Sequence, residues 1–297
     1  MKYKKSLGEN VFDTFNLLIM IFVFIVTLYP FVYVISYSLS ESSKIVGGLM
    51  LWPSGFTLKN YIASFQISTI PRGVLISISR TVLGTAVMIF FNSMAAYALS
   101  RENVPLIPFF RKYFVFTMFF SGGLIPTYLL IKDLGMTGSY WVYIIPNIVW
   151  VFNMILIRTY IENLPEELRD AAVVDGANDM VLFFRILFPL MTPVLAAVGL
   201  FAAIWHWNAY IDTAIYNSMS PKLFSLQYVL YSFISSVRNI SLDDLRSSNA
   251  AEIFSNRLQR KGLNMAVTVI TVIPIACIYP LIRKHFASGL LIGSIKG

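Results

Sequence analysis

Cysteine is nearly absent. Cys277 is the only one in 297 residues, which excludes an intrachain disulfide framework and reads as core packing within an apolar run. Histidine is almost as scarce: His206, between Trp205 and Trp207, and His285, after Arg283 and Lys284, have no ligand-spaced neighbours. With no cluster of His, Cys and carboxylates, neither a metal site nor a hydrolase triad has residues to build on. A phosphate-cradling loop needs Gly-Lys followed by Ser or Thr, and no Gly-Lys pair occurs, so the chain is not expected to hydrolyse ATP. Charge is sparse as well. Only 13% of residues are charged against 57% hydrophobic, far more apolar than a soluble domain of this length.

What is abundant is long uncharged sequence. The runs Thr14–Ser40, Thr81–Ser100, Tyr113–Ile131, Leu134–Ile157, Ile186–Ile211 and Gly262–Ile282 each approach or exceed the roughly 20 residues a helix needs to cross a bilayer. Barrel strands would alternate over about 10 residues, whereas these runs are continuously apolar. The expected fold is therefore an all-α integral membrane protein in one domain over 1–297, with six transmembrane helices near 13–39, 73–100, 113–131, 138–158, 186–210 and 262–282. Lys2, Lys4 and Lys5 precede the first run as in a secretory signal, but that run is too long and lacks a small-residue cleavage site. By the positive-inside rule both termini are cytoplasmic. Arg101, Arg111 and Lys112 follow span two, Arg158, Arg169 and Arg185 lie between spans four and five, and Arg283 and Lys284 close span six. This placement of basic residues at span ends also accounts for the net charge of +8 without a nucleic-acid partner.

Between the spans, residues 162–185 form a charged cytoplasmic segment and 212–261 an extracytoplasmic loop. The loop holds an apolar, Ser-rich stretch, Leu223–Val237, that suits a half-buried helix. Pro30, Pro126, Pro146, Pro189, Pro193, Pro274 and Pro280 fall in or beside spans. They either kink their helices or reflect the general tolerance of membrane helices for proline.

The most informative stretch is Leu164–Pro193. Pro165 suits the first helical position, and Glu166, Glu167 and Asp170 place negative charge at the positive end of the helix dipole. Ala171 and Ala172 favour helix and allow close approach of another surface. Gly176 supplies a left-handed turn, after which Asn178 or Asp179 caps a second helix running to the bend at Pro189.

This spacing resembles the cytoplasmic signature of bacterial ABC importer permeases: Glu-Ala-Ala, three residues, Gly, nine residues, Ile-x-Leu-Pro. Here it reads Asp170-Ala171-Ala172, three residues, Gly176, nine residues, Ile186-Leu187-Phe188-Pro189, with Asp for Glu and Phe for Leu. Val174-Asp175-Gly176-Ala177 resembles the sugar-importer form of the motif. Trp207-Asn208 with Leu226-Gln227 resembles that branch's outer loop, and the ending Phe286–Gly297 its usual C-terminus. The chain is thus similar to maltose-type carbohydrate permeases of the type I (MetI-like) fold, nearest to those taking oligosaccharides cut from plant or algal polysaccharides. The resemblance implies a second permease subunit, an ATPase dimer that binds the ATP and Mg, an extracytoplasmic solute-binding protein and a place in the bacterial cytoplasmic (inner) membrane, within membrane lipid. It also makes Glu167, Asp170, Ala171, Ala172, Asp175, Gly176 and Ala177, with Ile186 and Pro189, the ATPase-coupling residues. Leu226 and Gln227 become contacts for the binding protein, and the tail from Ser288 to Gly297 reaches towards the ATPases.

For the sugar itself, Trp141, Trp150, Trp205, Trp207, Tyr210, Asn147, Asn153 and Asn208 offer the aromatic faces and amides that bind carbohydrate, although Trp and Tyr also form the interfacial belt of membrane helices. Arg80 is a cation within a span. It meets an acidic sugar, pairs inside the bundle or snorkels to the surface. Three rival readings are a permease for a non-sugar solute, an ion-coupled secondary transporter and an intramembrane enzyme, for which the spans hold no paired catalytic side chains. The second would normally carry ionisable residues at mid-membrane, where only Arg80 is found.

Overall fold

The structure is a computed structural model that describes residues 7–45, 48–101, 104–238 and 250–289. The basic N-terminal residues Lys2, Lys4 and Lys5 and the tail beyond residue 289 lie outside them. Two compact units are present, each described by itself. One contains the first helix, the loop after it and Ser232–Val272; the other contains Ser68–Tyr231 and the residues from Ile273 onward.

In the first unit, α1 (Leu7–Ser38) runs for 32 residues, which at about 1.5 Å per residue is ample to cross a bilayer. Its apolar side chains point outward, and only Ser36, Tyr37 and Ser38 are buried. These serines start a polar clasp on the following loop. Ser40 Oγ donates to Ser36 O (2.6 Å) and accepts from Ser54 N (2.9 Å), while Asn60 Nδ2, on α2 (Lys59–Gln66), donates to the carbonyls of Ser38 and Ser40 at 2.9 and 3.1 Å. Lys44, 2.8 Å from Glu41, hydrogen-bonds its carboxyl and holds it below the usual carboxylate range. Lys261, on the last helix, donates to Tyr33 Oη (3.0 Å) and sits 4.8 Å over the Tyr37 ring.

The second unit is organised by α3 (Thr69–Ser100). Its buried positions, Gly73, Ser77, Arg80, Gly84, Met88, Asn92, Ala96 and Leu99, recur every three or four residues and are mostly small or polar. Small residues let neighbouring backbones approach where hydrocarbon contacts give no net drive between helices. At Gly84 the approach is closest, because a Cβ there would lie 2.5 Å from the buried His206 ring. We expect Gly84→Val to cost about 1–3 kcal/mol by overpacking, seen as a lowered melting temperature of the detergent-solubilised protein; an unchanged value would contradict this packing.

Three expected spans are broken. The run 113–131 is not one helix: α4 (Ile107–Phe119) and α5 (Leu124–Asp133) meet at 113°. The cause is Gly122-Gly123, with Gly123 at φ +87°, followed by Pro126. In the run 138–158, tight 3-10 turns over Tyr140–Asn147 precede α6 (Val151–Glu162) at 46°, with Pro146 at the break. The broken backbone finds its partners on α3, where Asn92 Nδ2 donates to Ile148 O (2.9 Å) and Asn92 Oδ1 accepts from Trp150 N (3.0 Å). After the short α7 (Glu167–Val174), α8 (Asp179–Leu190) meets α9 (Thr192–Asn208) at 76°, between Pro189 and Pro193. The prolines at these three breaks disrupt their helices, whereas Pro30 and Pro274 lie within continuous ones.

The expected loop over 212–261 is largely helical. It contains α10 (Ile211–Tyr216) and α11 (Leu226–Arg238), the latter close to the half-buried helix anticipated there. By Ala250 it has entered α12 (Ala250–Gly289), which extends the last span at both ends. Cys277 is exposed on α12 rather than packed in a core. Among the described residues, three helices are long and apolar enough to cross a membrane, and the three bent pairs bring the number to six if each is one span.

Candidate functional site

The segment between α6 and α8 is built as its sequence suggests, with one shift. Helix α7 starts at Glu167 rather than at Pro165, whose carbonyl instead accepts from Leu168 N at 3.3 Å. Glu167 and Asp170 fall in its first turn, where the helix dipole favours negative charge. Its end is a complete Schellman motif. Gly176 has φ +79°, Gly176 N donates to Val173 O (3.0 Å), and Ala177 N donates to Ala172 O (2.9 Å). The Ala172 and Ala177 side chains, at the positions where this motif places an apolar contact, both pack into the core cluster around Leu182, Phe183 and Leu187. Ala172 thus faces the bundle while Ala171 and Asp175 face outward. Val174, at 85% exposure, is an apolar knob with nothing against it.

Asn178 caps the next helix, its Oδ1 accepting from Val181 N at 2.9 Å. The turns over Leu182–Leu187 are widened to a π-helix, which carries the half-buried Ile186 and ends just before the exposed Pro189. Asp179 receives Arg101 and, at 2.9 Å, the Tyr97 hydroxyl, both from the end of α3. Nearby, Glu162 at the end of α6 pairs with Arg111 and Arg158, each at 3.2 Å. Between α7 and the bundle lies a polar cleft of ≈ 540 Å³, lined in part by Arg169, Asp170 and Glu166.

A second, larger cavity of ≈ 840 Å³ opens where α9, α10 and the 3-10 turns meet. Of the sequence candidates it gathers Asn147, Trp150, Trp205, Asn208 and Tyr210 but neither Trp141 nor Trp207, and it adds Tyr216. Trp150 and Trp205 meet edge to face at 4.8 Å. Burial, with the Asp212 charge adding, pushes the Tyr216 hydroxyl above its ordinary range and keeps it a donor. The lining has one charged side chain, Asp212, and that is already held by Arg80.

Arg80 and Asn153 are placed elsewhere. Arg80 is fully buried and grips Asp212 with both terminal nitrogens, Nη1 lying 3.1 Å from Oδ1 and 3.3 Å from Ala209 O, with its guanidinium 4.3 Å over the Tyr143 ring. Of the three readings of Arg80, the structure adopts pairing inside the bundle. Asn153 is buried against Met88 Sδ at 3.6 Å. Leu226, expected at an outer surface, is 0% exposed, because its N–H donates to Ser77 Oγ (2.9 Å) and draws the helix start onto α3. Gln227 is half-buried, and its Nε2 donates to Asn208 Oδ1 at 2.9 Å, orienting that amide at the cavity. Among the described residues no group of three His, Cys, Asp or Glu is placed to hold a metal ion.

No protein-family model matches the chain. Whole proteins do. It is 37% identical over 290 residues to Protein LplC of Bacillus subtilis, covering 97% of this chain and 96% of that one. It is 36% identical over 271 residues to the polygalacturonan/rhamnogalacturonan transport system permease protein YtcP of the same organism, covering 90% and 92%. The chain belongs to the carbohydrate ABC transporter permeases. The crystal structure of a bacterial ABC transporter involved in the import of the acidic polysaccharide alginate contains a chain that superposes on this permease with a TM-score of 0.85 at 26% identity, covering 96% of this permease and all of that chain. The all-α fold of such importer permeases is therefore this permease's fold, and it is a membrane protein.

Residue by residue, the permease motif stood out by spacing, but its anchors did not. Asp179 reads in the sequence only as a candidate helix cap, and Tyr97, Asn92 and Asp212 carry no local signature. Their one signal is polarity within or beside an apolar run, which only the folded positions of their partners explain.

Proposed function

We propose that this permease forms half of the pathway through which an ATP-driven importer brings an oligosaccharide into the cytoplasm, with α7 and Gly176 as the place where ATPase movement enters the subunit. What carries this reading is the shape of Glu167–Ala177: a short helix, locked at its end by a left-handed Gly, rooted in the core through Ala172 and bare on the side of Ala171, Val174 and Asp175. A short stiff element of this kind passes displacement on rather than absorbing it. The chain has no phosphate-binding loop, so ATP and Mg are assigned to a partner ATPase dimer, and a second permease completes the pathway. The basic span ends support a cytoplasmic location for both termini and α7, with the opposite side, including the exposed edge of Gln227, facing a solute-binding protein.

The cavity supports a sugar as cargo. Trp150, Trp205 and Tyr216 offer ring faces and a hydroxyl donor, and Asn147 and Asn208 offer amides. Relatives whose names specify polygalacturonan/rhamnogalacturonan or alginate import point to fragments of complex polysaccharides. In liposomes holding the permease with its partner subunits and binding protein, oligosaccharide uptake should require enclosed ATP and persist when the proton gradient is collapsed. Uptake that followed the gradient at constant ATP would overturn this reading in favour of ion coupling.

A further inference from the structure

Helix α3 is fastened at its C-terminal end and again at Arg80, within the helix, to the two regions that an importer must connect. At one end, Asp179 on α8, three residues beyond Gly176, accepts from the Tyr97 hydroxyl at 2.9 Å and pairs with Arg101. Arg101 lies 5.4 Å over the Tyr97 ring, and that ring packs 5.4 Å from Phe183 in the π-helical turns. The Arg101 side chain is 23% exposed and Asp179 65%, so what the cluster supplies is geometry more than stability. Arg111, from α4, donates its Nε to Leu99 O (2.7 Å) and binds Glu162, which ties α6 to the same end.

Further along α3, 17 to 21 residues earlier and roughly 26–32 Å away on a helix rising about 1.5 Å per residue, Arg80 holds Asp212 on the wall of the large cavity. The helix between them is unbroken, and α3 packs on both α6 and α9.

We propose that Tyr97 and Arg101 are positioning residues that fix the coupling segment to α3 through Asp179. A displacement of α7 is then delivered along α3 to the Arg80–Asp212 pair at the cavity. The inference rests on the reading of Glu167–Ala177 as the ATPase contact, and a chain of packed elements with two discrete arrangements is the physical means of such coupling.

The test uses the complete importer and reads sugar uptake per ATP hydrolysed. Arg101→Asp and Asp179→Arg, each alone, should lower that ratio by about fivefold or more while hydrolysis continues, the low end of ordinary coupling free energies. The exchange double variant Arg101→Asp/Asp179→Arg should restore it to within about twofold, a rescue that general loss of stability would not produce. Tyr97→Phe should give a smaller loss. Where a reversal prevents assembly, Arg101→Gln and Asp179→Asn remove the charge at near-constant size and read the same ratio. Unchanged ratios in the single variants, or an assembled exchange variant with no recovery, would overturn the proposal. Gly176→Val in the same assay separates the two readings. If it leaves the ratio intact, the assignment of the coupling segment fails. If it lowers the ratio while the Arg101 and Asp179 variants do not, only the fastening through α3 fails.

Discussion

Gly176→Val is expected to leave the permease in the membrane, assembled with its partners, and to reduce sugar uptake per ATP by roughly 5–30-fold. A β-branched residue forced into a left-handed conformation costs about 1–2 kcal/mol, which corresponds to about that factor in any equilibrium it biases. Nothing lies within 4 Å of a Cβ added at Gly176, so no collision spreads the damage into the bundle. The cost is relieved by giving up the Schellman geometry, with its bonds from Gly176 N to Val173 O and from Ala177 N to Ala172 O. Once these loosen, the end of α7 pivots when pushed, and ATPase closure is absorbed locally. Gly176→Asn is the control, because Asn tolerates the left-handed region. It should retain most of the coupling, and equal losses for Asn and Val would mean that bareness at this position, rather than its backbone, is what matters.

The contrast between motif and anchors explains how far the sequence could be read. Helix α7, its Gly176 ending and the Asn178 cap depend on interactions within a few residues of one another, and such local rules are visible in a string of letters. The number of apolar runs is equally local. The breaks were half visible: Gly122-Gly123 and Pro126 are local causes of the 113° bend, yet the run reads as continuous because hydropathy does not register backbone conformation. Long-range partners were not legible. Nothing in the sequence near Asp212 says that it will meet Arg80, 132 positions earlier, or that Asn92 will satisfy the backbone between Ile148 and Trp150. Leu226 shows the same limit from the other side. Its place in an outer-loop motif suggested a surface, yet it is buried, with its N–H bonded to Ser77 Oγ and its backbone close against Gly73 of α3.

Separating Arg80 from Asp212 should have the largest effect on the protein itself. Asp212→Asn leaves a guanidinium at 0% exposure without its counter-charge, a loss of about 3–5 kcal/mol for breaking a buried pair. Arg80→Met should cost less, because the Asp212 side chain retains 14% exposure at the cavity and can draw on water there. Arg80→Lys should not rescue, since an ammonium cannot hold both carboxylate oxygens, the Ala209 carbonyl and the Tyr143 face together. The double variant Arg80→Met/Asp212→Leu removes both charges and should recover more than half of the lost stability, as replacement of a buried pair by apolar residues commonly does. Melting temperatures of the purified permease in detergent measure all four. Recovery in the double variant with uptake still abolished would show that the pair matters to transport beyond holding the fold. Full recovery of uptake would reduce it to a structural rivet and remove the cavity end of the connection through α3.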